Sequence, residues 1–232
     1  MKRALWASVT ACAFALAAPA NAVTYVFDST NDAVTVDFNG FANSSSDVIS
    51  GLTSRLTLTL VSGAGTRDFR FSYVLTNTST AAFNGSRVSG FAFNVNPDVD
   101  GGAIINLGDF SNILASGGSY PNGIGGVEVC LKGSNGNNCS GGGNAGATIG
   151  DPATGEFTLS FADAPMNGVT LDRFFVRYQG LPPRDGSASG QAVTTAVPEP
   201  GAWMMLLAGF FAVGFALRRR PRSASAPMLA SC

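Results

Sequence analysis

The segments RLTLTLVS (Arg55–Ser62) and DFRFSYVLT (Asp68–Thr76) decide the fold. In the first, Leu56, Leu58 and Leu60 alternate with polar residues; in the second, Phe69, Phe71, Tyr73 and Leu75 do the same. A period of two sends successive side chains to opposite faces of a strand, so each segment reads as a strand with one face in a core and one in water. Gly63-Ala64-Gly65-Thr66 between them is the length of a hairpin loop.

Weaker forms of the pattern recur on both sides. They are VTYVFD (Val23–Asp28), AVTVDF (Ala33–Phe38), RVSGFAFNV (Arg87–Val95), GVEVCL (Gly126–Leu131), GEFTLSFA (Gly155–Ala162) and DRFFVRYQ (Asp172–Gln179). Gly, Asn and Ser clusters separate them, and no stretch combines helical periodicity with good helix formers. About eight antiparallel strands predict an all-β domain over residues 23–181, built as a β-sandwich or jelly roll. Thirteen of the 17 phenylalanines lie in this region, mostly at alternating positions such as Phe91/Phe93 and Phe157/Phe161, which reads as core rather than as a ligand platform. From Ala115 to Gly155 the chain turns glycine-rich, a composition that suits surface loops. Pro182 to Val197 is rich in Pro, Ser, Gly and Thr without apolar periodicity, and is read as a flexible stalk.

The ends differ in kind. Residues 1–22 carry Lys2 and Arg3, an apolar run and Ala20-Asn21-Ala22, the three-part pattern of a secretory signal peptide, a short helix cut between Ala22 and Val23. At the other end, 17 uncharged residues from Gly201 to Leu217 are just long enough to span a membrane as a helix. Arg218, Arg219 and Arg220 follow as a membrane stop, which holds residues 221–232 in the cytoplasm and the β domain outside.

Composition narrows the chemistry. Setting these ends aside leaves eight basic and fourteen acidic residues, with Lys132 the only lysine, so no basic surface favours nucleic acid. The chain has no histidine. Ser-His-Asp and Cys-His catalysis therefore lack their base, and histidine-based metal chemistry is excluded with them. Cys130 and Cys139 form a natural disulfide pair in an exported domain.

Three binding or catalytic readings remain. Asn96, Asp98, Asp100 and Gly101 fall on the first, third, fifth and sixth positions of a calcium loop, but its closing glutamate is replaced by Leu107, so NPDVDGG reads first as a turn and only second as a weak calcium site. No other cofactor or metal is expected. Carbohydrate binding would need an exposed aromatic, and Tyr120 in GGSYPNG is the tyrosine outside the strands. A glycosidase would need two facing carboxylates, for which Glu128 and Glu156 are the candidates, although a non-enzymatic role is the expectation.

The most specific signal is VPEPGAWMMLLAGFFAVGFALRRR, Val197–Arg220. Pro198-Glu199-Pro200 precedes the apolar span, Trp203 and Gly209-Phe210 lie within it, and the arginines close it. In this order the segment resembles the sorting signal of the PEP-CTERM proteins of Gram-negative bacteria; the paired cysteines and glycine-rich region also resemble its cistern sub-group. The resemblance implies recognition and cleavage near Pro198–Pro200 by exosortase, a membrane enzyme. It further implies a transient stay in the inner membrane, then a place at the cell surface or in an exopolysaccharide or biofilm matrix.

Overall fold

The computed structural model describes residues 24–106, 108–134, 136–142, 144–182, 186–193 and 209–210. Signal cleavage at Ala22/Val23, the sorting residues Pro198, Glu199, Pro200 and Trp203, the arginines 218–220 and the tail lie outside them. So does the expected membrane helix except for Gly209 and Phe210, which are helical. No described helix is long and apolar enough to cross a membrane.

The chain from residue 24 to residue 193 is all β. In chain order the strands are β1 (Tyr25–Phe27), β2 (Ala33–Phe41), β3 (Val48–Ser62), β4 (Asp68–Asn77), β5 (Arg87–Asn96), β6 (Gly101–Asn106), β7 (Asn112–Leu114), β8 (Gly118–Tyr120), β9 (Gly125–Val127), β10 (Val129–Lys132), β11 (Ala147–Thr148), β12 (Ala153–Ser160), β13 (Val169–Leu181) and β14 (Gly186–Ala192). Seven of the eight expected strands are present as single strands, whereas Gly126–Leu131 breaks at Glu128 into β9 and β10, which lie in different sheets.

The sandwich of two sheets is corrected. Twelve strands share one antiparallel sheet in the order β6-β12-β4-β3-β2-β14-β13-β5-β10-β7, with β1 paired to β13 and β11 to β5; β8 and β9 form a separate ribbon. Its end strands β6 and β7 lie beside each other, so the sheet curls almost closed around a single core. Near-closure leaves little free edge for stray pairing.

The hairpin β3–β4 behaves as its alternation requires. Leu56, Leu58, Leu60, Phe69, Phe71 and Leu75 are fully buried, and Leu58 faces Tyr73 across the ladder. Rings fill the centre: Phe91 lies within 5.2–6.4 Å of the ring centres of Tyr73, Phe93, Phe110 and Phe157. On the outer face, Thr35 and Thr57 hydrogen bond at 3.0 Å, and Arg55 pairs with Asp37 at 2.7 Å.

The stalk is also corrected. Gly186–Ala192 is a strand in the middle of the sheet, paired to β13 on one side and to β2 on the other. Its lack of large residues reflects crowding: a Cβ on Gly190 would lie 2.7 Å from Val176 Cγ2 and 2.9 Å from Tyr178 Cε2. The domain therefore runs to Val193, whose N–H still donates to the Asp37 carbonyl at 2.7 Å.

Candidate functional site

β13 and β5 are covered on both faces. Val176 and Tyr178 point into the main core, whereas Phe175 points outward into a second cluster with Ala92, Tyr120, Val127, Cys130 and Cys139. The second cluster exists because the glycine-rich segment folds back as a cover over the outer face of β5, β13 and β14. Small residues let it approach closely: a Cβ on Gly141 would strike Ser89 Oγ and come within 3.1 Å of Arg177 Cγ, and Gly141 has φ +73°.

Cys130 and Cys139 are disulfide bonded, with Cα atoms 6.0 Å apart, and pin the cover to β10. Lys132 Nζ, fully buried beside them, donates to the carbonyls of Gly136 (2.6 Å) and Asn138, and burial lowers its pKa. Closing a loop with a sequence separation of nine removes denatured-state entropy worth about 2.5 kcal/mol. Replacing both cysteines by alanine is thus expected to lower the melting temperature by about 5–10 °C in a scan followed by circular dichroism.

Beneath the cover lies a buried cation. Arg177 is 8% exposed, and its guanidinium donates to Ser140 O (3.3 Å), Ser187 Oγ (2.6 Å), Ser189 Oγ (3.5 Å) and Asn122 Oδ1. All four acceptors are neutral. Among the described residues the ion pairs are Arg55–Asp37 and Arg70–Glu156, so no carboxylate balances Arg177. Burial lowers the Arg177 pKa accordingly. Nearby, the Tyr120 hydroxyl is buried without a hydrogen-bond partner, and burial drives its pKa far upward despite the neighbouring cation.

Asn122 carries this cluster to the surface. Its Oδ1 accepts from Arg177 and from Ser189 Oγ (3.0 Å), and its Nδ2 donates to the Ala42 carbonyl, tying the cover to the end of β2. In front of it opens a hollow of about 270 Å³, bounded by Asn43 and Ser45 of the β2–β3 turn, Asn122, Gln191 of β14, and Arg173 and Phe175 of β13. A second hollow of about 190 Å³ continues it past Val48 and Val193; Phe41, Ser45 and Gln191 line both. Together they form a trough of mixed lining, with amide and hydroxyl groups beside Phe41 and Phe175.

Arg173 is the anomaly at its rim. It sits in a bulge of β13, where the register to β5 shifts between Asp172 and Phe175, and it has φ +49°. That left-handed conformation is common for glycine and tolerated by asparagine, but strained for arginine. The side chain is exposed, and its Cζ lies 5.9 Å from the Phe175 ring centre.

The sequence-derived candidates are distributed differently. Tyr120 is 3% exposed, packed at 5.9 Å on Phe175, so it is not a sugar platform. Glu128 accepts the Val95 N–H, and Glu156 binds Arg70 and Asn106 Nδ2. Each carboxylate therefore holds structural groups of its own, and the two share no partner. Asn96 ends β5 with a cis bond to Pro97, and the Asp100 N–H donates to Ser160 O at 2.8 Å as the chain enters β6. Among the described residues no group of three or more Asp, Glu, Cys or His is placed to hold a metal. The trough itself was missed, because its residues come from four separated segments and none of them forms a motif.

Comparison with known proteins adds one finding. Residues 196–220 match the family model of the PEP-CTERM protein-sorting motif. No curated protein and no solved structure matches the chain significantly. The chain thus carries a sorting signal of the kind recognised by exosortase, which marks exported proteins for processing at the membrane.

Proposed function

We propose that this chain is a surface or extracellular-matrix protein of a Gram-negative bacterium. Its signal peptide is removed after Ala22, the C-terminal span holds it in the inner membrane, and exosortase cuts near Pro198–Pro200. The β domain is then the cargo, associated with exopolysaccharide or biofilm. The match of residues 196–220 to the PEP-CTERM protein-sorting motif carries this reading.

The domain's character supports an extracellular life: a disulfide, a sheet with little open edge and few charges. A binding or structural role is favoured over catalysis, because Glu128 and Glu156 are each engaged in holding the fold. Carbohydrate adhesion is the second reading, favoured by a trough that sets amide and hydroxyl groups beside aromatic rings.

Intact mass of the protein from its native host tests the sorting. Removal of the signal lowers the mass by roughly 2.4 kDa and removal of the tail by roughly 3.5 kDa more, from the lengths of the two segments. In a host lacking exosortase the second loss should vanish, with the protein retained in the inner-membrane fraction. A mature protein that keeps its tail in the wild-type host overturns the proposal.

A further inference from the structure

We infer that the trough beside Arg173 binds a carboxylate-bearing sugar, such as a uronic acid residue of an acidic polysaccharide, with the adjoining hollow taking the neighbouring neutral sugar. This deepens the association with exopolysaccharide and rests on that reading for the source of the ligand.

Charge is the first argument. The domain is acidic overall, yet neither arginine at this place, Arg173 at the rim or Arg177 one side chain behind Asn122, has a carboxylate partner among the described residues. A planar guanidinium presents paired donors that fit a carboxylate in two parallel hydrogen bonds. An exposed, uncompensated arginine over a concavity attracts such an anion, and the buried Arg177 adds to the local positive potential in a poorly screened setting.

Backbone strain is the second argument. A glycine at residue 173 would remove the cost of φ +49°, so the arginine is held there against local preference. The bulge also re-aims the side chain: it lets Phe174 turn into the core and Phe175 outward while Arg173 stays exposed beside the hollow.

The lining supplies the third. Gln191 offers an amide and Ser45 a hydroxyl, groups that both donate and accept as sugar hydroxyls require, and Asn43 keeps its amide oxygen free beside its bond to Asp47, whereas Asn122 is spent on Arg177, Ser189 and Ala42 and serves as the wall. At about 270 Å³ the hollow is near the lower limit of ligand pockets, roughly 300 Å³, which suits one sugar ring rather than a large cofactor. The second hollow contains no charged residue, so its occupant is a neutral unit.

Titration of the purified full-length protein with glucuronate, glucose, acetate and sulfate, followed by calorimetry up to about 10 mM ligand, tests the assignment. Glucuronate is expected to bind, and to bind at least tenfold more tightly than the other three. Arg173→Gly should weaken glucuronate at least tenfold while leaving the melting temperature equal or higher, because glycine relieves the strain; lost binding then cannot be ascribed to unfolding. Arg55→Gln, which removes an exposed arginine already paired to Asp37, should leave binding unchanged.

Equal affinity for glucose would overturn the carboxylate assignment, and equal affinity for acetate or sulfate would overturn the sugar. Absence of glucuronate binding, or unchanged binding in Arg173→Gly, overturns the site. Tail removal, read by mass, is independent of these titrations, so a failure of sorting and a failure of the trough are distinguishable.

Discussion

Phe91→Ala is expected to destabilise the domain by about 3–5 kcal/mol, the range for removing a buried phenylalanine side chain. Phe91 has no solvent exposure and stands at the centre of the core, with Tyr73, Phe93, Phe110 and Phe157 all within 6.4 Å between ring centres. The loss has two parts. The transfer free energy of the ring goes, and a cavity remains that neighbours on four different strands and loops cannot all close, because the sheet around them is curled nearly shut. Aromatic pairing adds about 0.5–1.5 kcal/mol per contact beyond area. Thermal unfolding followed by circular dichroism should show a drop of about 10–15 °C. Val74→Ala, at a site 44% exposed, should move it by little, within about 0.5 kcal/mol. A Phe91→Ala protein melting within a degree or two of the parent would mean that this cluster is not the core.

Where one face of a strand meets the core and the other meets water, the pattern is legible, and β3 and β4 are read correctly to within a residue at the hairpin between them. Where both faces are covered, the cue weakens. β5 is buried from Val88 through Phe93 without alternation, since its outer face lies under the glycine-rich cover. The cover itself has no periodicity to detect. Its one ribbon, β8 and β9, has strands of three residues, and its position is set by a disulfide and by hydrogen bonds to Arg177 rather than by a repeating apolar face.

The site was hidden for related reasons. Arg177 sits in FFVRY at an outward-facing position of β13, where an arginine reads as solvated. Only the tertiary cover makes it a buried cation. Arg173 occupies a bulge position at which a glycine would have announced the left-handed turn, and no glycine is there. Tyr120 was legible as an aromatic in a turn-rich loop, but its burial depends on Phe175 from a strand 55 residues away.

Ending the chain after Leu181 is expected to abolish cooperative folding, whereas ending it after Val193 should preserve it. A Gly, Ser and Ala stretch has the composition of a linker, yet β14 fills the gap between β2 and β13 and hydrogen bonds to both. Without it, both neighbours would present unpaired backbone N–H and C=O groups, each costly to leave unsatisfied in a buried setting. Ala188 and Gly190 would no longer cover the core face beside Tyr178, and Arg177 would lose the hydroxyls of Ser187 and Ser189 while remaining buried without a counter-ion. A hydrogen bond to a charged group contributes about 1.5–3 kcal/mol, so losing these two alone removes a large part of a typical domain's stability of about 5–15 kcal/mol. Proteolysis and circular dichroism of the two truncated chains, each fused to the same signal, decide the matter: equal protease resistance would place the domain boundary back at Leu181. If the longer chain alone folds, Pro198 lies five residues beyond Val193, which at full extension is no more than about 18 Å of chain. The matched sorting motif then begins within a few residues of the folded sheet in sequence, rather than after a sixteen-residue stalk.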